Sequence, residues 1–250
     1  MPDRPIPFPA SEPMPPLFDA HSHLPRVGAA EDPVPRRDHR RVVCGTCEAD
    51  WQAVLAHAAS HQQVLPMLGL HPWFVAEAAP GWAERLEALL RANSAGLGEC
   101  GLDFARKAAD RDGQETALRV QLRLAHDLRR PVALHVVKAW GALLEVLREE
   151  GVPASGALVH AYSGSLETAR ELQAMGVFLS FSGDFQKPDR LGMREALRSV
   201  PSGHLLLETD GATDLERVLE AAAGIRGIPV AELELLTWDN GSRCFRELMA

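Results

Sequence analysis

Apolar runs that each end on a polar, metal-competent side chain recur along this chain, and no other feature limits its fold as strongly. Leu17-Phe18 leads into Asp19-Ala20-His21-Ser22-His23, Ala95-Gly96-Leu97-Gly98 into Glu99, and Pro131-Val132-Ala133-Leu134 into His135. Gly156-Ala157-Leu158-Val159 leads into His160, and Leu205-Leu206-Leu207 into Glu208-Thr209-Asp210. Strand-like segments fall at 17–21, 41–45, 63–69, 95–99, 131–135, 156–160, 177–181 and 204–208. Amphipathic stretches lie between them at 50–60, 81–92, 114–129, 139–149, 165–174 and 188–200, with Leu86, Leu89, Leu90 and then Leu118, Leu122, Ala125 at helical spacing. Eight strands alternating with helices predict an α/β fold with a parallel sheet and helices outside. The count favours closure into a (β/α)8 TIM barrel, whose active sites lie at the C-terminal ends of the strands.

The details of this pattern are also expectations. Asp50 and Ser165 are expected N-caps, Gly176 a C-cap, and the last helices are expected over 213–223 and 230–249, closing the bottom and side. Residues 24–40 carry Pro25, Pro33 and Pro35 without a helical period, so the first crossover helix is expected to be missing or replaced by a loop. At 250 residues the chain suits one barrel domain spanning 1–250, although two small domains would also fit the length. Residues 1–16 are crowded with proline and read as an extended strap or tail, with no basic-then-apolar signal pattern. No apolar run is long enough to span a bilayer, and a cytoplasmic location is expected by default.

The four cysteines read as reduced and structural. Cys44-Gly45-Thr46-Cys47 has CxxC spacing, but no second pair completes a zinc site, and Cys100 is expected to face away from Glu99. A net charge of −8 argues against coating duplex nucleic acid by bulk electrostatics, though not against gripping a few phosphates locally. Arg36, Arg37, His39, Arg40 and Arg41 form one basic cluster, read as a solvated loop after the first strand.

On a strand, alternation would point Asp19, His21 and His23 the same way. Two neutral imidazoles at that spacing can grip one divalent metal, with the Asp19 carboxylate supporting them from behind. In a barrel, His21 and His23 would meet Glu99, His135, His160 and Asp210. Carboxylates mixed with imidazoles suit zinc, manganese, nickel or magnesium, and a glutamate between two ligand clusters can bridge two metal ions. Such ions lower the pKa of a bound water, and Asp210 would orient or deprotonate it. Taken singly, His135 and His160 could be core histidines bonded to carbonyls, and Asp210 could cap the following helix.

These motifs resemble the TatD family of metal-dependent nucleases, within the wider amidohydrolase-like group. The matching residues are Asp19-Ala-His21-Ser-His23, Gly69-Leu-His71-Pro72, Gly98-Glu99-Cys-Gly101-Leu-Asp103, Pro131-Val-Ala-Leu-His135, His160-Ala-Tyr-Ser163-Gly164 and Glu208-Thr-Asp210, with Trp238-Asp239-Asn240 through Phe245 in the terminal helix. The resemblance implies two divalent metal ions, one held by His21, His23, Glu99 and Asp210 and the other by Glu99, His135 and His160. It implies phosphodiester hydrolysis with Glu99 and Asp210 as catalytic residues, typically removal of nucleotides from the 3′ end of single-stranded DNA. His71 matches a position associated with the substrate phosphate, although it could simply be a helix-start histidine beside Pro72. Asp103 and Glu208, sharing strand faces with Glu99 and Asp210, would orient the ligands, as would Asp19. The chain departs from the family where an arginine usually follows the fifth-strand histidine by two residues. Val137 stands there, with Lys138 beside it as the remaining phosphate-binding candidate. Gly211-Ala212 replaces the usual Ser-Pro after Asp210.

The leading expectation is therefore a hydrolase of phosphodiesters in single-stranded DNA or a smaller nucleotide, monomeric by default and without a membrane or obligate protein partner. The alternatives are a related amidohydrolase cutting an ester or C–N bond, including acyl-transfer RNA, or a metal-binding scaffold with little turnover. Cationic candidates near the metals are Lys138, Arg106, Lys107 and Lys187, and base-stacking candidates are Trp73, Phe74 and Phe104, which could equally fill loops. No lysine ends a strand to serve as a carboxylated metal bridge, which favours the phosphodiesterase.

Overall fold

Each expected apolar run forms a strand because both of its faces are covered, one by the barrel interior and one by a helix. The computed structural model describes residues 16–24, 39–106, 109–211 and 214–249. The strands are β1 (Leu17–Ser22), β2 (His39–Cys44), β3 (Val64–Leu68), β4 (Gly96–Asp103), β5 (Val132–Val137), β6 (Ala157–Val159), β7 (Phe178–Phe181) and β8 (Leu205–Leu207). They form one parallel sheet in sequence order from β1 to β8. The helices are α1 (Glu48–Ser60), α2 (Trp82–Ala92), α3 (Arg111–Leu128), α4 (Trp140–Glu150), α5 (Leu166–Ala174), α6 (Leu191–Ser199), α7 (Leu215–Arg226) and α8 (Val230–Cys244).

The barrel closes through side-chain and end-of-strand bonds. Thr209, just past β8, donates its N–H and its hydroxyl to the Asp19 carboxylate of β1, at 2.9 and 2.7 Å. The N–H of Asp210 donates to the carbonyl of His21 at 3.0 Å. These bonds join the first and last strands at the end of the barrel where the polar residues converge.

Apolar packing forms two layers. Phe18, Ala20, Val42, Cys44, Met67, Ala133 and Leu206 fill the interior together with Phe245 and Leu248 from the C-terminal segment. The remaining buried side chains lie between sheet and helices, among them Leu17, Val43, Leu97, Leu134 and Leu207. Phe18 stacks on Phe245 at 5.9 Å and meets Trp238 edge-on at 6.1 Å, so α8 and the turn after it plug the barrel end opposite the polar cluster. Gly241 permits this approach, because a Cβ there would stand 2.5 Å from the Phe18 ring.

Several boundaries differ from expectation for local reasons. Strand β2 starts at His39, so Arg40 and Arg41 lie on the sheet and not in a solvated loop; Arg40 donates to the Gln62 carbonyl and Arg41 lies 3.6 Å from Asp19. Asp50 is the third residue of α1 and not its N-cap, a role that falls to Cys47. From there its carboxylate reaches back to accept from the N–H groups of Thr46 and Cys47 and from the Thr46 hydroxyl. Ser165 does cap α5, and Gly176, with φ of 87°, follows that helix with its N–H on the Gln173 carbonyl. Helix α3 begins at Arg111, three residues early, because Asp110 caps it. Helix α8 stops at Cys244 and gives way to a 3-10 turn over Arg246–Leu248. The expected strap over 1–16 lies almost wholly outside the described residues, as does the crossover at 25–38 with Arg36 and Arg37. Among the described residues, no helix is long and apolar enough to cross a membrane.

Candidate metal centre

Two β-bulges aim the central side chains. On β1, Asp19 and Ser22 pair with Arg41 and Val43, so β1 carries one extra residue between them. On β4, Leu97 and Cys100 pair with Val132 and Leu134, again one residue too many. A bulge breaks the two-residue alternation and re-aims a side chain. Phe18 and Ala20 face the interior, Asp19 shares the other face with Leu17, and past the bulge His21 turns in towards the barrel mouth. Asp19 therefore does not back the imidazoles of His21 and His23, as simple alternation suggested; its carboxylate binds Thr209 and faces Arg41. On β4 the bulge presents Glu99, while Gly101 beyond it has φ of 141° and runs so close to β5 that a Cβ would sit 2.0 Å from the His135 carbonyl.

Glu99 is the hub. Its buried carboxylate meets five imidazoles: Nδ1 of His135 and Nε2 of His160 at 2.8 Å, then Nε2 of His23 at 3.3 Å, of His71 at 3.4 Å and of His21 at 3.5 Å. Asp210 joins from the turn after β8, its carboxylate 3.7 Å from Nε2 of His23. Four overlapping triads bring ligand atoms within 4.8 Å of one another: His21, Glu99 and His160; His21, His23 and Asp210; His71, Glu99 and His135; and His160, Glu208 and Asp210. Every residue expected to hold metal is thus in one cluster, with His71 and Glu208 reaching into it as well.

The polar neighbours on the far side of each ring bear on what it offers. Nδ1 of His23 lies 3.1 Å from the Cys44 carbonyl, which can only accept, so His23 turns a lone pair on Nε2 into the cluster. Nδ1 of His21 lies 3.5 Å from the Cys44 sulfur. Nδ1 of His71 accepts the Trp73 N–H at 3.1 Å, so the neutral ring carries its proton on Nε2 and presents a donor. Nε2 of His135 faces Asp103 at 3.5 Å and Nδ1 of His160 faces Glu208 at 3.6 Å. Glu208 is itself held by the Ala161 N–H and the Ser180 hydroxyl.

Backbone contacts fix these elements relative to one another. The loop after β2 accepts the Glu99 N–H on Gly45 at 2.9 Å and the His71 N–H on Thr46 at 2.8 Å. Two buried glutamines of α3 clamp strand ends: Gln121 bonds both the N–H and the carbonyl of Leu70, and Gln114 does the same for Asp103. The sequence marks Cys44 only as a structural thiol and does not single out Gln114 and Gln121. For the glutamines the signal was present, since they fall on the same buried face of α3 as Leu118, Leu122 and Ala125. The Cys44-to-Cys47 motif acts as scaffold, and its thiols are free.

The electrostatics favour a cation. Burial works against a charge on Glu99, but the charge of His160 and hydrogen bonds from the imidazoles outweigh it and hold the carboxyl well below the usual range. Burial pushes His21 down to about 4 and also lowers His71, leaving neutral rings. Burial acts the same way on His160, yet Glu99 and Glu208 more than offset it and raise that ring well above the ordinary value. Burial and then Glu208 push Asp210 up to about 6. Three carboxylates gathered with five imidazoles around one centre offer the mixed oxygen and nitrogen donors that suit divalent ions.

The expected phosphate-binding cations are placed unevenly. Lys138 is exposed just past β5 with φ of 54°. Lys187 pairs with Asp184 at 2.7 Å, Arg106 lies over the Trp73 ring, and Lys107 falls outside the described residues. Val137 brings no charge. Phe104 packs against the outer core and carries Arg111 over its ring.

Residues 18–246 match the profile of TatD related DNase. The chain belongs to the TatD family. TatD relatives include one from Bacillus subtilis named an uncharacterized metal-dependent hydrolase, YabD, 26% identical over 92% of this chain and 99% of its own. Two others bear the name 3′-5′ ssDNA/RNA exonuclease TatD: that of Cronobacter sakazakii is 33% identical over 80% of this chain and 84% of its own, and that of Klebsiella pneumoniae 33% identical over 73% and 70%. The crystal structure of YjjV, a TatD homologue from Escherichia coli, superposes with a TM-score of 0.79 at 27% identity, covering 83% of this chain and 86% of that one. A TatD family hydrolase from Entamoeba histolytica shares the fold, with a TM-score of 0.77 at 16% identity over 92% of this chain and 98% of that one. As a TatD protein the chain is a metal-dependent hydrolase acting on ester bonds, and its His, Glu and Asp cluster provides the donors that such an enzyme requires.

Proposed function

We propose that this TatD protein removes nucleotides from the 3′ end of single-stranded DNA, or hydrolyses a smaller nucleotide ester, with two divalent ions. His21, His23, Glu99 and Asp210 hold one ion, Glu99, His135 and His160 the other. The observation that carries this reading is the single buried Glu99 carboxylate in reach of five imidazoles, because a glutamate between two ligand groups is suited to bridging two ions. The relatives named as 3′-5′ ssDNA/RNA exonucleases support the substrate class and polarity.

When bound, the ions supply Lewis acidity toward the phosphate and make an attacking water more acidic. The rest falls to the protein. Asp210 is half-buried, with its side chain 38% exposed, and its carboxyl is pushed up to about 6. Its carboxylate lies between His23 and solvent, a position fitted to orient water and take its proton. His71 presents the Nε2 proton to a phosphate oxygen, since its Nδ1 is engaged by Trp73. Asp103 and Glu208 keep His135 and His160 turned inward. Lys138 contributes an exposed point charge, not the two-pronged grip of an arginine. The two described lysines, Lys138 and Lys187, are both exposed, so neither is placed as the carboxylated bridge of an amidohydrolase.

Digestion of 3′-labelled and 5′-labelled single-stranded DNA with magnesium, manganese or zinc tests this reading. Metal-dependent shortening from the 3′ end, lost with chelator and in Glu99→Gln and Asp210→Asn, is the expected result. DNA left intact by metal-loaded wild-type protein would overturn the substrate.

A further inference from the structure

Five tryptophans occur in the sequence, and only Trp73 is a strongly exposed one among the described residues, at 45%. An exposed indole is commonly mobile, but this one is fixed. Its Nε1–H donates to Oδ2 of Asp103 at 2.6 Å, and its backbone N–H donates to His71. It follows Pro72 in a 3-10 turn whose entry is anchored by Gln121 on Leu70. The ring meets His71 edge-on at 5.0 Å and His135 at 6.3 Å, so it forms part of the wall of the metal centre. The Arg106 guanidinium lies over the ring, 4.0 Å from its centre. The residue is this exposed with Arg106 already in place, which leaves surface at the wall of the centre for a ligand.

We propose that Trp73 and Arg106 form a nucleobase subsite: the terminal base of the substrate stacks on the open part of the indole, with Arg106 supporting the ring from its other face. This rests on the nucleotide substrate proposed above and specifies how the chain recognises it. A rigid aromatic surface beside the hydrolytic cluster suits the flat face of a base, and every base has one. The cation behind the ring adds to the attraction and leaves a positive group near the phosphates. The same arrangement addresses the deficit at Val137. With no arginine there to hold the phosphate in a two-pronged grip, His71 and Lys138 are left to bind it, and the Trp73 surface adds contact with the base. Asp103 couples the two functions, since the same Oδ2 atom that holds the indole faces Nε2 of His135.

Binding of deoxyadenosine 5′-monophosphate to chelator-treated protein tests the subsite without turnover. Titration calorimetry would compare wild type with Trp73→Phe and Trp73→Leu, with inorganic phosphate as a control ligand. Loss of a stacked base predicts affinity about 5- to 150-fold weaker in Trp73→Leu. Trp73→Phe, which keeps an aromatic face but loses the bond to Asp103, should stay much nearer to wild type, and phosphate should bind all three alike. Equal nucleotide affinity in wild type and Trp73→Leu, or no nucleotide binding by folded wild type, would overturn the proposal. The outcome is separable from the activity: Trp73-dependent nucleotide binding by a protein that leaves DNA intact would keep the subsite and reject the polymer substrate. Degradation of DNA with KM unchanged in Trp73→Leu would reject the subsite alone.

Discussion

The sulfur of Cys44 lies 3.5 Å from Nδ1 of His21, on the side of the ring away from Glu99. The carbonyl of the same residue lies 3.1 Å from Nδ1 of His23, so one position at the end of β2 backs both histidines of the β1 motif. The Nε2 atoms of the two rings are 3.3 Å apart, directed at a common centre. For His21 to give an Nε2 lone pair to a metal, its Nδ1 proton needs an acceptor, and the Cys44 sulfur lies within reach, its thiol kept protonated by burial. Cys44→Val removes that acceptor while the carbonyl contact to His23 survives. Metal affinity, read by competition with a chromophoric chelator, should fall about 10- to 100-fold, the usual loss when such a partner is removed. Cys44→Ser, which restores an acceptor, should recover most of it. Equal affinity in all three proteins would reduce Cys44 to packing.

His71 stands in the cluster without the tautomer of a ligand. Because Nδ1 accepts from Trp73, its Nε2 is a donor, and His71→Ala should leave the metal content unchanged. It should lower kcat/KM about 10- to 100-fold, the scale of a lost hydrogen bond to a charged group. A variant that loses one bound ion would instead make His71 a ligand.

Barrel closure rests on a small number of polar bonds between the first and last strands. Thr209→Val removes a hydroxyl from the buried Asp19 carboxylate, which is left with the Thr209 N–H and the nearby Arg41. Stability should fall by about 1–3 kcal/mol, measured by urea unfolding of the metal-free protein. Because the same bonds seat Asp210 over the His21 carbonyl, metal affinity should weaken in parallel. Unfolding at the wild-type midpoint would show that the strands are held by other contacts.

Period and spacing made the barrel legible, since eight apolar runs separated by amphipathic stretches allow few other arrangements. The clustering of the six candidate ligands was legible for a related reason: a polar side chain closing an apolar strand needs a partner. What alternation could not supply was the pair of bulges. A single extra residue between Asp19 and Ser22 moves Asp19 to the opposite face from His21, and no local composition marks it. The outer contacts were hidden because they join residues distant in sequence. Gln121 and Leu70 are separated by 51 positions, and Cys44 and His21 by 23. Gln114 and Gln121 could have been found, because a polar residue on the apolar face of an amphipathic helix usually has a buried bond to make.

The most direct test of the central claim is the number of ions bound per chain by wild type and by Glu99→Gln, measured by elemental analysis after equilibration with zinc or manganese. If Glu99 bridges two ions, wild type carries two and Glu99→Gln falls below one at the same free metal concentration. The variant should also lose stabilisation that metal gives wild type, about 2.7 kcal/mol for each ion lost at a hundredfold excess over Kd. A single ion in wild type, or two retained when the carboxylate becomes an amide, would contradict a Glu99-centred two-metal site.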